Sequence, residues 1–297
     1  MSGRPVDRRI FGVDFSGAES AGRAIWLAAG RIEPGGLLRI EDCQPAACLP
    51  GSGVARGDCL PALVRFIARQ RNAVFGLDFP FSLPASLAGQ ASWEDFALAL
   101  TDRYPTAELF RRACRAAAGG RELKRDTDRA SRVPFGAYNL RLYRQTYFGI
   151  GHLLAPLLRR RAACVLPIQP PIDGKPWLFE ICPASTLKAS GLYTSYKGRG
   201  PSYRAARRRI LDELVARGAV APPAPAVEDR ILADSGGDAL DSVIAAVAAR
   251  QAAERPRPEH RPTPLERIEG RVYFAALPAA DTPSVPCAHT PDGRALP

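Results

Sequence analysis

The chain is short of the residues that build soft-metal and redox sites. It has three histidines, isolated from one another and from its seven cysteines. The cysteines (Cys43, Cys48, Cys59, Cys114, Cys164, Cys182 and Cys287) are odd in number and irregularly spaced, with no C-x-x-C pair. That excludes a standard zinc site and a thioredoxin-like motif, and reduced thiols are expected. No apolar run is long enough to span a bilayer. The first residues are polar and basic and lack the apolar stretch of a signal peptide, so a cytoplasmic protein with no membrane partner is expected. A G-x-S-x-G elbow, a P-loop and a plausible Cys–His pair are all missing, so acyl transfer on a nucleophilic side chain has no support.

Lysine is also scarce. Only four of the 41 basic residues are lysine, yet the net charge is +11. An even spread of arginine would follow from composition alone, but the charge is clustered. Residues 103–161 carry 14 basic and 4 acidic residues, and residues 188–209 carry 7 basic residues and no acid. Clustered positive charge suits a face that meets a polyanion, and nucleic acid (DNA or RNA) is the expected partner.

Hydrophobic patterning predicts strands at 9–15, 22–32 and 36–42, the last two joined by the turn Pro34-Gly35-Gly36. Asp58 is expected to cap a helix running to residue 71, and a buried strand follows at 73–79. Residues 90–162 read as a basic helical insertion, with helices opened by Ser92 and Thr106, a polar loop at 121–133 and a helix over 138–158. Short strands are expected at 164–168 and 177–181, a basic helix at 203–216, a Pro/Ala linker at 219–226 and a helix at 238–253. A last strand is possible at 272–274. One domain over residues 8–276 is expected, with disorder at 255–264 and in the tail 277–297.

Acids stand where apolar strands end. Asp14 closes the first strand, Asp78 the fourth, and Glu180 lies in Trp177-Leu-Phe-Glu-Ile181. Asp238 and Asp241, three apart, share a face at the start of the late helix. Unpaired buried charge is costly, so such acids need a cation or a hydrogen-bond network. Carboxylates at neighbouring strand ends converge on one edge of a sheet. Hard oxygen donors without His or Cys point to Mg2+ or Mn2+. Asp14, Asp78, Glu180, Asp238 and Asp241 are therefore the candidate catalytic residues, with Asp14, Asp78 and Asp241 as metal ligands. Each also has an ordinary structural role open to it: a turn carboxylate at Asp14 or Asp78, a salt bridge at Glu180, helix N-capping at Asp238, a helix-dipole contact at Asp241.

A meander that switches to parallel α/β units is the element order of a ribonuclease H-like fold. That predicts a five-stranded mixed sheet flanked by helices. The motifs Gly12-Val-Asp14 with Trp26 after it, Gly76-Leu-Asp-Phe-Pro80, Glu180-Ile-Cys-Pro-Ala-Ser-Thr-Leu-Lys188 and Asp238-Ala-Leu-Asp241 resemble the family catalogued as domain of unknown function 429, predicted nucleases of that superfamily. The resemblance covers most of residues 9–275. The superfamily's Holliday-junction resolvases place an Asp on the first strand, an acid on the fourth and a D-x-x-D on the last helix. By that likeness Asp14, Asp78, Asp238 and Asp241 are implied metal ligands, although the fourth-strand acid is usually Glu and Glu180 has no clear counterpart.

The resemblance implies a divalent-metal-dependent nuclease. A non-catalytic nucleic-acid-binding protein and an actin/sugar-kinase-like phosphotransferase, with Phe15-Ser16-Gly17-Ala18 as a phosphate loop, are the alternatives. Arginines mixed with aromatics suggest nucleic-acid contacts at Arg132, Tyr138, Arg141 and Arg144, with Lys188 and Lys197 in or beside the second basic stretch.

Overall fold

The computed structural model describes residues 8–89, 92–131, 133–254 and 261–279. Its strands are β1 (Arg9–Asp14), β2 (Trp26–Ile32), β3 (Leu38–Pro45), β4 (Ala73–Asp78), β5 (Cys164–Leu166), β6 (Trp177–Ile181) and β7 (Val272–Tyr273). They form one mixed sheet in the order β3-β2-β1-β4-β6-β5, with β7 also paired to β6. The pairs β1–β2 and β2–β3 are antiparallel; β1–β4, β4–β6, β5–β6 and β6–β7 are parallel. The sheet therefore has seven strands, not the expected five. β5 lies against Trp177–Phe179, and β7 takes the same edge further on, against Glu180 and Ile181. Each is too short to fill that edge alone.

The helices divide between the two sides of this sheet. α1 (Ala21–Ala24) is a single turn before β2, where the sequence pattern predicts strand. Asp58 lies inside the first turn of α2 (Arg56–Arg69), whose N-cap is Ala55. α3 (Ala85–Ala88) follows β4. Ser92 and Thr106 do cap α4 (Trp93–Arg103) and α5 (Ala107–Ala117), each hydroxyl accepting a backbone N–H three residues on. The 121–133 stretch contains α6 (Asp126–Ala130). The predicted long helix begins late, at α7 (Tyr143–Gly149), and passes through a π-helical stretch, Ile150–Leu154, into α8 (Ala155–Arg159).

After the sheet's last long strand come α9 (Pro183–Ala189) and α10 (Pro201–Ala216). The expected linker is not one: Val220 is buried and bridges to Leu38, and α11 (Pro225–Ala233) starts within it. α12 (Asp238–Glu254) and the turn α13 (Glu266–Glu269) complete the fold. The expected disorder at 255–264 falls partly, and the tail mostly, outside the described residues. No helix among the described residues is long and apolar enough to cross a membrane.

Side-chain alternation sets what each face of the sheet meets. Phe11, Val13, Phe75 and Leu77 point to one side, packing with α2 and with buried residues of α4, α5, α7 and α8. Ile10, Val74, Phe179 and Ile181 point to the other, where α9 to α12 lie. Gly12 and Gly76, register partners in β1 and β4, lie on this second side too. A Cβ on Gly12 would fall 1.9 Å from the Ser242 carbonyl oxygen and 2.3 Å from Ala246 N; one on Gly76 would fall 2.5 Å from the Ala245 carbonyl oxygen. Helix backbone thus rests directly on strand backbone. α12 can do this because it is rich in alanine, and every residue from Ala239 to Ala249 is buried. A helix apolar all round is the expected signature of a fully enclosed one.

This contact predicts that Gly12→Ala and Gly76→Ala each lose about 1–3 kcal/mol or more of stability by overpacking. Gly57→Ala, in α2, has nothing within 4 Å of the new Cβ and is expected to be neutral or slightly stabilising. Urea unfolding of the three variants checks this; a Gly12→Ala protein as stable as wild type would contradict the backbone contact.

Candidate functional site

Asp14 and Asp78 are register partners at the ends of parallel β1 and β4, so their backbones lie about 4.8 Å apart. Both share the parity of the two glycines and point to the α12 side. Because α12 lies so close, its first turn reaches over the strand ends. Asp241 is buried there, and Asp238 is half-buried beside it. Asp234 accepts hydrogen bonds from Gly236 N (3.1 Å) and Ala239 N (3.0 Å). One N-terminal donor of α12, Ala239 N, is thus served by Asp234 and not by Asp238, the N-cap candidate from sequence.

Part of the cluster's charge is met from within. Lys197 Nζ lies 2.6 Å from Asp241 Oδ2 and 3.4 Å from Asp238 Oδ1. The Tyr196 hydroxyl donates to Asp241 Oδ1 at 2.6 Å. The segment carrying both residues is pinned by Arg207, a buried arginine of α10 whose guanidinium donates to the Tyr196, Gly198 and Leu232 carbonyls. On the other side Gln145 donates to the Phe15 and Asp78 carbonyls and so ties α7 to both strand ends.

The electrostatics follow from burial. Burial pushes the Asp14 carboxyl well above the usual carboxylate range, and Asp241, Asp78 and Asp238 push it further. Burial, then Asp241, raise Asp78 to about 7. Asp241 and Asp238 are raised mainly by burial, with Lys197 acting against it. Burial works against the Lys197 ammonium, but Asp241 and Asp14 outweigh it and hold the amine above its ordinary range. Burial and Asp241 likewise raise Tyr196. Like charges forced together in low dielectric retain protons unless a cation joins them.

Glu180 behaves differently. It pairs with Leu77 in register, so it points to the opposite side of the sheet from Asp14 and Gly76. Its carboxylate accepts from Phe81 N at 3.0 Å and from both terminal nitrogens of Arg125. Arg125, itself buried, also binds Asp128 and the Glu269 carbonyl. Glu180 thus belongs to an ion network that fixes α6 and α13 to the sheet edge. Opening such a buried pair costs about 3–5 kcal/mol, so Arg125 holds the Glu180 carboxylate firmly where it lines the same cleft as Asp14 and Asp78.

The nucleic-acid candidates scatter. Tyr138 is buried, and its hydroxyl bonds Leu123 N and the Arg121 carbonyl, which makes it a core residue and not a contact. Arg144 is paired with Glu108 at 2.9 Å. Arg141 lines the cleft above Asp14 and Asp78. Lys188 is exposed beside Tyr193, and Lys197 sits in the acid cluster. Arg132 lies outside the described residues. Tyr196 was weighed from sequence only as an aromatic of the second basic stretch, and Arg207, Gln145 and Asp234 were not singled out; Tyr196 and Gln145 act across long sequence separations that leave no local motif.

Whether this donor set fits a metal can be judged from the side chains. Among the described residues no three acidic, His or Cys side chains stand together as a ready-made metal cage. The Lys197 ammonium occupies oxygens of Asp241 and Asp238 that a metal would need. Its side chain is 50% exposed, so it can withdraw. The donors are hard oxygens with excess negative charge, which suits Mg2+ or Mn2+.

Fold and site together define a mixed α/β protein with a buried carboxylate centre at the ends of two parallel strands. The family model described as "Protein of unknown function (DUF429)" matches residues 12–267, and the chain belongs to that family. No curated protein and no solved structure matches it.

The raised acids give a pH prediction. A carboxyl whose folded pKa exceeds its unfolded value opposes folding as pH rises from the unfolded value through the folded one. For Asp78 that window runs from its ordinary value near 3.8 up to about 7. In chelator, Asp78→Asn is expected to match wild type in stability near pH 4 and to exceed it by up to about 4 kcal/mol above pH 7. Chemical denaturation across that range tests this; a difference independent of pH would contradict it.

Proposed function

We propose that this protein is a divalent-metal-dependent nuclease with a ribonuclease H-like core, hydrolysing phosphodiester bonds of DNA or RNA. The observation that carries the reading is the convergence of buried Asp14 and Asp241 with half-buried Asp78 in a cluster met by a single lysine amine. Asp14, Asp78 and Asp241 would hold the ion, with Asp238 beside them. Bound there, Mg2+ or Mn2+ would activate a water and stabilise the leaving oxygen. The chain's own groups do the rest: Tyr196 orients Asp241, Gln145 keeps the strand ends apart at fixed spacing, and Lys197, once displaced, is within reach of a substrate phosphate.

The sheet order supports the fold part of this reading. β3-β2-β1-β4-β6 is an antiparallel meander followed by parallel strands, with the first and fourth strands adjacent. β5 and β7 extend the far edge without disturbing it. Positive charge supports the partner. Arg199, Arg204, Arg208 and Arg209 are exposed, although Arg204 and Arg208 have partners in Asp229 and Glu228. The phosphotransferase alternative fares worse. Its would-be phosphate loop is packed at Gly17, where a Cβ would meet the Arg144 backbone at 2.5 Å, and no second phosphate loop is found in the sequence.

Labelled single-stranded, duplex and branched DNA and RNA, incubated with Mg2+ or Mn2+, test the proposal. Cleavage is expected for wild type and is expected to fall at least about a hundredfold in Asp14→Asn and Asp241→Asn, and to vanish in chelator. Salt-sensitive binding without cleavage, unchanged in both variants, would instead make it a binding protein.

A further inference from the structure

The carboxylate cluster lies at the bottom of a cleft of about 570 Å3, within the size range of small-ligand sites. Its walls come from two separate parts of the chain. One includes Phe135 and Arg141, from the segment between α6 and α7; the other includes Tyr193 to Lys197, from the segment after α9. On each wall an aromatic ring carries a cation. The Arg141 guanidinium carbon lies 5.2 Å from the Phe135 ring centroid, and Lys188 Nζ lies 5.0 Å from that of Tyr193.

The Tyr193 ring is out of place on structural grounds. It is 58% exposed, and it is the one aromatic among the large hydrophobic side chains that the described residues expose. It belongs to neither core cluster, and the carboxylates do not depend on it. An exposed ring beside a polar cleft, with a cation on its face, is the arrangement that binds bases of single strands: the ring stacks and the cation meets the phosphate.

We propose that Phe135 with Arg141 and Tyr193 with Lys188 form a stacking subsite for an unpaired nucleobase. The subsite directs the activity proposed above to single strands and unpaired ends. This rests on reading the cluster as a phosphodiester-cleaving centre, with the neighbouring phosphate over Asp14 and Asp78. A base inside a duplex has both faces covered by its neighbours and offers nothing to either ring. The first wall continues into Ala137 and Tyr138, which pack on the α2 side of the sheet, and the second into Tyr196, which packs on the α12 side, so the proposed subsite lies between the two.

Binding and cleavage are measured separately. Fluorescence anisotropy in chelator follows a short labelled single strand, the matching duplex and a mononucleotide on wild type, Phe135→Ala, Tyr193→Ala and Tyr193→Phe. The single strand is expected to bind more tightly than the duplex or the mononucleotide. Each alanine variant is expected to weaken it about tenfold, and Tyr193→Phe to keep it, since only the ring is needed. Because Tyr193 is exposed, its variants leave the core intact, and thermal melts confirm that.

Equal affinity for strand and duplex, or alanine variants that bind like wild type, would overturn the subsite. A mononucleotide bound as tightly as the strand would overturn its assignment to strands. Cleavage lost in Asp14→Asn but indifferent to the rim would sink this inference and leave the nuclease reading standing. Rim-dependent binding with no cleavage under Mg2+ or Mn2+ would do the reverse.

Discussion

The close approach of α12 to β1 and β4 governs the rest of this structure. Strand and helix backbones touch at Gly12 and Gly76, where any side chain would collide with helix carbonyl or amide groups. With ordinary side chains at those positions, α12 would ride several ångströms higher and Asp241 would not reach the strand ends. The contact therefore does two things at once. It builds the core with an alanine-rich helix, and it forces Asp241 onto the register pair Asp14 and Asp78. Crowded carboxylates are the consequence, and burial together with their mutual repulsion raises Asp78 and Asp14.

The chain meets that strain with Lys197 and Tyr196, and these are held by Arg207 from below. A basic residue of a stretch that reads as a polyanion surface thus serves the interior. The opposite side of the sheet solves a similar problem in another way. There Glu180 and Arg125 form a buried pair completed by Asp128 and backbone groups. That pair is closed, whereas the cluster on the α12 side depends on one half-exposed amine that can leave. The difference between a committed and an uncommitted set of carboxylates separates structural acids from candidate ligands in this protein.

Much of the site was legible in the sequence, because an acid at the end of an apolar strand has few inexpensive explanations. Asp14 and Asp78 announce themselves that way, and the pair Asp238 and Asp241 by helical spacing. The caps Ser92 and Thr106 were readable from local chemistry. Glu180 was not, since Trp177-Leu-Phe-Glu-Ile181 is buried on both faces and shows no alternation from which its direction could be taken. Tyr138 was read as a nucleic-acid contact because its stretch mixes arginines with aromatics, yet its ring fills the core. α11 was hidden by prolines that start it instead of breaking a linker, and Arg207 by a long-range role that no spacing encodes. Strands β5 and β7 were expected from their sequences; that both join the one sheet on β6 was not.

The central claim is that the acid cluster is a cation site held shut by Lys197. Calorimetric titration of Mn2+ into wild type, Lys197→Gln and Asp14→Asn tests it most directly. Wild type is expected to bind the ion, Lys197→Gln to bind it about tenfold more tightly by losing the competing charge, and Asp14→Asn to bind it weakly or not at all. Absence of Mn2+ binding in both wild type and Lys197→Gln, or weaker binding in the latter, would contradict the account.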